Sequence, residues 1–183
     1  MSRGAKGASS KPAVAAPRTL RELMSRALTM EMEAAARYAE LADAMQTHNN
    51  REVAALFRKL AEIEGKHAAH IMATMGWTSP PAIASEESRW DGFEAPETTA
   101  GDAVHYLMQP YHALKLALDN EQRAEAFFGR LARIATTPAV AKAARALQAE
   151  EREHVALVRA WLKRTRKPDR DWADDPDPAR YTD

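Results

Sequence analysis

The sequence predicts an all-α fold: a four-helix bundle in which a long crossover joins the second helix to the third. Three observations carry this. Four stretches have helical composition, apolar spacing and terminal signals; more than twenty residues between the second and third stretch lack periodicity; and the tetrapeptide pattern Glu-x-x-His occurs twice in matching register. With 183 residues and a 45% hydrophobic fraction the chain suits one domain with a sizeable core.

The first 17 residues are Ser, Gly, Ala, Lys and Pro with few bulky apolar side chains, so they are expected to be a disordered N-terminal tail. The bundle is expected over residues 18–165. Thr19 and Glu22 form a capping-box pattern, and the run from Leu20 to about Gln46, rich in Ala, Leu, Met, Glu and Arg, reads as the first helix. Asn49-Asn50 signals a turn and cap. Val53, Leu56, Phe57, Leu60, Ile63, His67 and Ile71 then keep helical spacing until Gly76 ends an antiparallel second helix.

From Trp77 to Thr99 the sequence holds Pro80, Pro81, Gly92 and Pro96. A loop of that length in a compact domain needs a task, and spanning a bundle lengthwise is one. Trp77 and Trp90 are expected to pin it. The third helix is expected to begin near Thr99 to Asp102 and run to about Ala135, with a kink or restart at Pro110. Thr137-Pro138 supplies a cap and a first-turn proline for a fourth helix ending near Arg164. Residues 166–183, with Asp174-Asp175-Pro176-Asp177-Pro178, read as an extended acidic C-terminal tail.

Composition excludes several classes. Lys plus Arg and Asp plus Glu are equal at 26 each, so no net field attracts nucleic acid. Without cysteine there is no disulfide framework, thiolate zinc site or iron–sulfur centre, and any metal must sit on His and carboxylate groups. No apolar leader region and no run of 18 apolar residues occurs, so no membrane association is expected and the expected location is cytoplasmic.

The chemistry concentrates in Glu64-Gly65-Lys66-His67 and Glu151-Arg152-Glu153-His154. Residues three apart share a helix face, so each pair can offer a carboxylate oxygen and an imidazole nitrogen to one point. Given 16 Glu and six His, chance alone supplies roughly half a Glu-x-x-His. A second copy in register is more telling. Glu31 precedes Tyr38 by seven positions, as Glu121 precedes Phe128, and Glu31 to Glu64 spans 33 positions against 30 for Glu121 to Glu151. The chain reads as a duplicated helical hairpin. In di-iron carboxylate bundles two Glu-x-x-His helices are joined by one Glu from each of the others, and Glu31 and Glu121 stand where those partners are needed.

Over residues 20–164 the chain resembles the rubrerythrin branch of the ferritin-like superfamily. The resemblance rests on Glu31 with Arg37-Tyr38, the run Ala61-Glu62-Ile63-Glu64-Gly65-Lys66-His67-Ala68, Glu121, and Glu150-Glu151-Arg152-Glu153-His154. It implies a ferritin-like bundle holding two metal ions, iron first and manganese or a mixed pair next. Their implied ligands are Glu31, Glu64, His67, Glu121, Glu151 and His154, with Glu64 and Glu151 bridging. It also implies reduction of hydrogen peroxide or dioxygen, an external electron donor protein and a homodimer. Tyr38 is either a hydrogen-bond donor or radical trap beside the metals, or an ordinary core aromatic. Two departures stand out: Ala124 occupies the position of a further carboxylate usual in rubrerythrins, with Glu125 one residue later, and the four-cysteine rubredoxin-like domain is missing. These leave open a ferroxidase serving iron storage, or an oxygenase acting on an organic substrate.

The competing reading of the six residues is solvated surface charge on a metal-free helical interaction module. That reading fits Glu33, Glu62, Glu150 and Glu153 individually. His70 is expected to be unremarkable, Asp102-x-x-His105 lies too far upstream of Glu121 to join it, and Met24, Met30, Met32, Met45, Met72, Met75 and Met108 are expected as core filler.

Overall fold

The computed structural model describes residues 16–82 and 105–174. Four helices make up the bundle: α1 (Leu20–Thr47), α2 (Arg51–Met75), α3 (Pro110–Ile134) and α4 (Pro138–Arg164). Their ends follow local chemistry. Thr19 Oγ1 accepts from the Glu22 amide at 3.1 Å while Glu22 Oε2 accepts from the Arg18 amide at 2.9 Å, which satisfies donors that the first turn leaves open. Asn50 and Thr137 cap α2 and α4 in the same way, each such cap contributing about 1 kcal/mol. Gly76 ends α2 at φ 65°, a left-handed conformation that costs glycine nothing, and Asn49 makes the α1–α2 turn at φ 58°.

The third helix, α3, begins at Pro110. Residues 105–109 are not helical, Pro110 occupies the first turn, and His112 Nδ1 accepts from the Gln109 amide at 3.0 Å. Proline fits there because its missing N–H is one the first turn could not use. The restart at Pro110 therefore holds, while the expected beginning at Thr99 to Asp102 lies outside the described residues.

The crossover follows from which ends meet. The side-chain amide of Asn50, at the start of α2, donates to the carbonyl oxygens of Met108 at 2.6 Å and Tyr106 at 3.3 Å, just before α3. Trp77, just past the end of α2, packs at the opposite pole against a cluster containing Leu23, Leu131 and Val140, with the Arg21 guanidinium 5.5 Å from its ring centre. The two poles are one length of α2 apart, about 37 Å at helical rise. Accordingly α3 runs parallel to α2 and antiparallel to α1. Packing is most intimate within the hairpins α1–α2 and α3–α4, and α2–α3 and α1–α4 close the ring. At Gly129 a methyl group would fall 2.5 Å from Gln148 Nε2, showing how closely α3 and α4 approach.

Two apolar clusters fill the bundle. One holds Leu23, Leu28, Phe127, Phe128 and Leu131; the other holds Tyr38, Phe57, Leu60, Leu114 and Val158. Between them in sequence, on all four helices, lie the buried carboxylates Glu31, Glu64, Glu121 and Glu151. Met24, Met30, Met45 and Met108 are core residues and Met72 and Met75 pack against the core, but Met32 is 44% exposed. It faces outward because it directly follows the inward-facing Glu31, and one helical step turns a side chain by about 100°.

After α4 the chain makes a turn at 170–173 that brings Trp172 against His112, ring centres 3.8 Å apart, and edge-on to His105. Residues 166–174 thus return to the α3 entrance. The N-terminal tail to residue 15, Trp90 and the acidic stretch from residue 175 lie outside the described residues.

Candidate metal centre

Each hairpin contributes three side chains to one layer. In the first, His67 Nδ1 lies 3.2 Å from Glu64 Oε2 and 3.6 Å from Glu31 Oε2. In the second, His154 Nδ1 lies 3.2 Å from Glu151 Oε2 and 3.4 Å from Glu121 Oε2. The duplication read from the spacing is therefore a duplication in space. The two imidazoles stack face to face across the bundle, ring centres 4.3 Å apart and planes within 6°. The six residues form two groups, Glu31–Glu64–His67 and Glu121–Glu151–His154, each with ligand atoms within 4.8 Å of one another and so able to hold an ion.

Helix geometry explains the convergence. Glu64 and His67, like Glu151 and His154, lie three apart and project from one stripe, while α1 and α3 present Glu31 and Glu121 from the other diagonal. All four carboxylates are at most 3% exposed, so the competing picture of surface charge fails for them. It holds for Glu33, Glu62, Glu150 and Glu153, which are exposed, as is His70.

Burying four carboxylates together is costly, and the titration behaviour shows where the cost falls. Burial, reinforced by the charges of Glu151 and Glu64, lifts Glu31 to about 8 against the opposing pull of His67. Burial likewise lifts Glu121 to about 7, with Glu64 and Glu151 adding and His154 opposing. Burial alone would depress the histidines, but hydrogen bonds and charges from Glu31 and Glu64 outweigh it and raise His67 to about 9; Glu121 and Glu151 raise His154 to about 11. Glu31 Oε2 and Glu121 Oε2 are buried and make no hydrogen bond of good geometry, their imidazole neighbours lying at 3.6 and 3.4 Å. Such acceptors on raised carboxylates fit cations: a divalent ion in each group would satisfy them and balance the charge. The oxygen and nitrogen donors suit iron, manganese or zinc and offer nothing to a soft thiophilic ion.

Residues 22–162 match the family model described as Rubrerythrin. The chain belongs to the rubrerythrin family. The family is one of di-iron proteins, in keeping with the two carboxylate and histidine groups. A solved structure, an uncharacterised conserved protein from Magnetospirillum magnetotacticum determined at 2.00 Å, is similar at 36% identity over 82% of this chain and 98% of that one, with a TM-score of 0.61. No curated protein matches the chain significantly. Among the described residues, no helix is long and apolar enough to cross a membrane.

Around the layer, the rubrerythrin-family chain departs from its usual pattern at α3. Ala124 is fully buried in the apolar cluster with Phe127 and Phe128. Glu125, one step on, pairs with Arg152 Nε on α4 at 2.9 Å, which commits its carboxylate to a neighbouring helix's guanidinium. Asp102 lies outside the described residues, and His105 stacks on Tyr106 near the α3 entrance, away from the six. Tyr38 is 1% exposed, stacks on Phe57 at 6.0 Å, and its hydroxyl accepts from Asn120 Nδ2 at 3.0 Å. Asn120, itself 1% exposed and adjacent to Glu121, belongs to no sequence motif. Its signal in sequence is weak: one amide between Asp119 and Glu121, with no spacing rule to mark it.

Proposed function

We propose that this rubrerythrin-family chain is a di-iron, or mixed iron and manganese, oxidoreductase that reduces hydrogen peroxide or dioxygen. The observation that carries the reading is the meeting of two buried Glu–Glu–His groups in one layer, with two carboxylate oxygens that make no hydrogen bond of good geometry. Glu31, Glu64 and His67 would hold one ion, and Glu121, Glu151 and His154 the other. Bound there, the metal pair would supply two electrons, one from each ion, for reducing the oxidant.

The chain's own residues supply the rest. His67 and His154 each direct Nδ1 at two carboxylates, so each must lose the proton it carries in the metal-free protein before that nitrogen can serve as a ligand. The apolar clusters above and below the layer exclude water and strengthen every charge interaction within it. Access falls to the side where His67 and His154 keep 29% and 19% side-chain exposure, against 4% or less for the carboxylates. Reducing equivalents come from an external electron donor protein, and the working form is a homodimer acting in the cytoplasm.

A second reading, a ferroxidase that oxidises incoming iron for storage, is favoured by Ala124 and by the Arg152 pairing of Glu125. Both remove the further carboxylate associated with peroxide turnover in rubrerythrins. Anaerobic ferrous titration of metal-stripped protein, with stoichiometry by native mass spectrometry, tests both readings. Two ions per chain are expected, falling to about one in His67→Ala or His154→Ala, since each removes a ligand from one group. Faster oxidation by peroxide than by dioxygen would select the peroxidase, and the reverse order the ferroxidase. Absence of stoichiometric metal would defeat both.

A further inference from the structure

The carboxylate and histidine layer comes to the surface along the seam between α2 and α4. His67 and His154 meet there with ring centres 4.3 Å apart and keep 29% and 19% side-chain exposure. The same two helices meet again nearer the end of α4, where the Lys59 ammonium lies 4.4 Å from the ring centre of Trp161. Lys59 precedes His67 by eight residues and Trp161 follows His154 by seven, so the two meetings are about 10 to 12 Å apart at helical rise. The second borders a groove of about 320 Å³. Leu56, Leu114 and Trp161 give it an apolar wall, and Lys59, Arg164 and Glu52 stand around it.

Charge sets this groove apart. The chain as a whole is balanced at 26 cations and 26 anions, yet residues 159–170 carry six Lys or Arg against one Asp, all exposed. Lys163 and Arg164 suit the negative end of the α4 dipole, but Arg159, Arg166, Lys167 and Arg170 lie outside that last turn. Arg26, Arg37 and Arg152 pair with Glu22, Glu40 and Glu125, and Arg166 with Asp169. Among the described residues, neither Lys59 nor Arg164 has a carboxylate within ion-pair distance. Cations that the chain leaves unanswered draw an anionic partner.

Shape narrows the kind of partner. A small apolar centre inside a charged rim suits a brief encounter of little buried area, the range in which electron-transfer complexes lie. A nucleic-acid backbone or an anionic bilayer would also spread over exposed Asp171 and Asp174, which repel it. A compact acidic protein can present its charge to the rim alone.

We propose that the groove of Lys59, Trp161 and Arg164 is the docking surface for an acidic one-electron carrier protein that supplies the reducing equivalents of the metal centre. This rests on the function proposed above. The 183 residues hold no cysteine and so no thiolate-bound redox relay of their own. Each encounter moves one electron: the carrier is oxidised by one, and a ferric ion held in the layer is reduced to ferrous, so two encounters restore the pair. Lys59 and Arg164 orient the carrier, and the Trp161 face gives it an apolar contact about 10 to 12 Å along the seam from the imidazoles.

The first test uses metal-free full-length protein and isothermal titration calorimetry. The probes are two acidic carriers, a plant-type [2Fe–2S] ferredoxin and a flavodoxin, with a basic c-type cytochrome as the opposite-charge control. One-to-one binding of at least one acidic carrier is expected, about tenfold weaker when salt rises from about 20 to about 200 mM, with no binding of the cytochrome. Lys59→Glu combined with Arg164→Glu is expected to weaken binding about tenfold or more, and Trp161→Leu several-fold with the salt dependence kept. Lys142→Glu, a reversal at an exposed cation near the other end of α4, leaves it unchanged. No binding of either carrier overturns the proposal. So does binding indifferent to the double reversal, or tighter binding of duplex DNA or phosphatidylserine vesicles through the same residues.

The second test follows the loss of ferric absorbance in metal-loaded, oxidised protein under argon. The reductant is either the reduced carrier, below saturation, or a neutral hydroquinone. The ratio of the carrier-driven rate to the hydroquinone-driven rate is expected to fall about tenfold in the double reversal. An unchanged ratio overturns the assignment of the groove as the point of electron entry. If no form binds metal while the carrier titrations follow expectation, the docking surface stands and the proposed di-metal function is what has failed.

Discussion

Replacing Glu31 with glutamine separates what the carboxylate layer costs the fold from what it gives to metal binding. In the metal-free protein Glu31 titrates near 8 instead of its ordinary 4.5, chiefly through burial. At pH 7 the folded side chain is mostly protonated while the unfolded one is ionised, and that difference opposes folding by about 3 kcal/mol. Glu31 also helps hold His67 near 9, and losing its share of that attraction returns on the order of 1 kcal/mol. Glu31→Gln is thus expected to stabilise the metal-free protein at pH 7 by about 2 kcal/mol, or roughly 4–8 °C in Tm for a chain of this size. With ferrous iron present the order reverses, because the amide is a poor ligand and the metal-dependent rise in Tm shrinks. Thermal unfolding by circular dichroism, with and without metal under argon, measures both. A metal-free variant that keeps native helicity yet melts below wild type would refute the reasoning, since it would show the buried carboxylate to be stabilising by itself.

Other perturbations probe the same layer and its surroundings. Stability of the metal-free protein is expected to fall as pH rises. Glu31 and Glu121 hold protons in the fold that the unfolded chain has released above about 4.5, and His67 and His154 hold theirs above about 6.5, so the loss accumulates from pH 4.5 until the folded values near 7 to 11 are passed. Metal affinity moves oppositely, rising with pH as the bound protons are released; a gap between metal-free and loaded Tm that narrows on raising pH from 6 to 8 would contradict this. Ala124→Glu places a carboxylate in the fully buried cluster beside Phe127 and Phe128 and is expected to cost the metal-free protein about 2 kcal/mol or more, measured by urea denaturation. Gly129→Ala should stay within about 1 kcal/mol of wild type in the same assay. The added methyl meets only the far end of Gln148, which can rotate away, and the gain in helix propensity of about 1 kcal/mol offsets that adjustment.

The helices were legible because their signals are local. Thr19, Asn50, Gly76, Pro110 and Thr137 mark ends through the hydrogen bonds that each can or cannot make with its own backbone, and all five do so in the structure. The paired Glu-x-x-His motif was legible because three-residue spacing fixes a shared face whatever the helix packs against. The sequence could likewise name Glu31 and Glu121 by their register within each half. It could not show that all four carboxylates are buried, that His67 and His154 stack 4.3 Å apart, or that two oxygens make no hydrogen bond of good geometry, because these depend on how the two hairpins face each other across the crossover.

Tertiary packing also separates residues that look alike in sequence. Glu125 is a carboxylate one step from the expected position, yet it pairs with Arg152, because that single step turns the side chain by about 100°. Met32 looks like its neighbour Met30, but Met30 is buried and Met32 exposed for the same angular reason. Asn120 carries no motif at all, and its contact joins residues 82 positions apart. Sequence alone determined the elements and the kind of chemistry, since both are written in short-range spacing. Only the tertiary structure decided which polar groups lost water together, and that shared burial makes the layer a candidate metal centre.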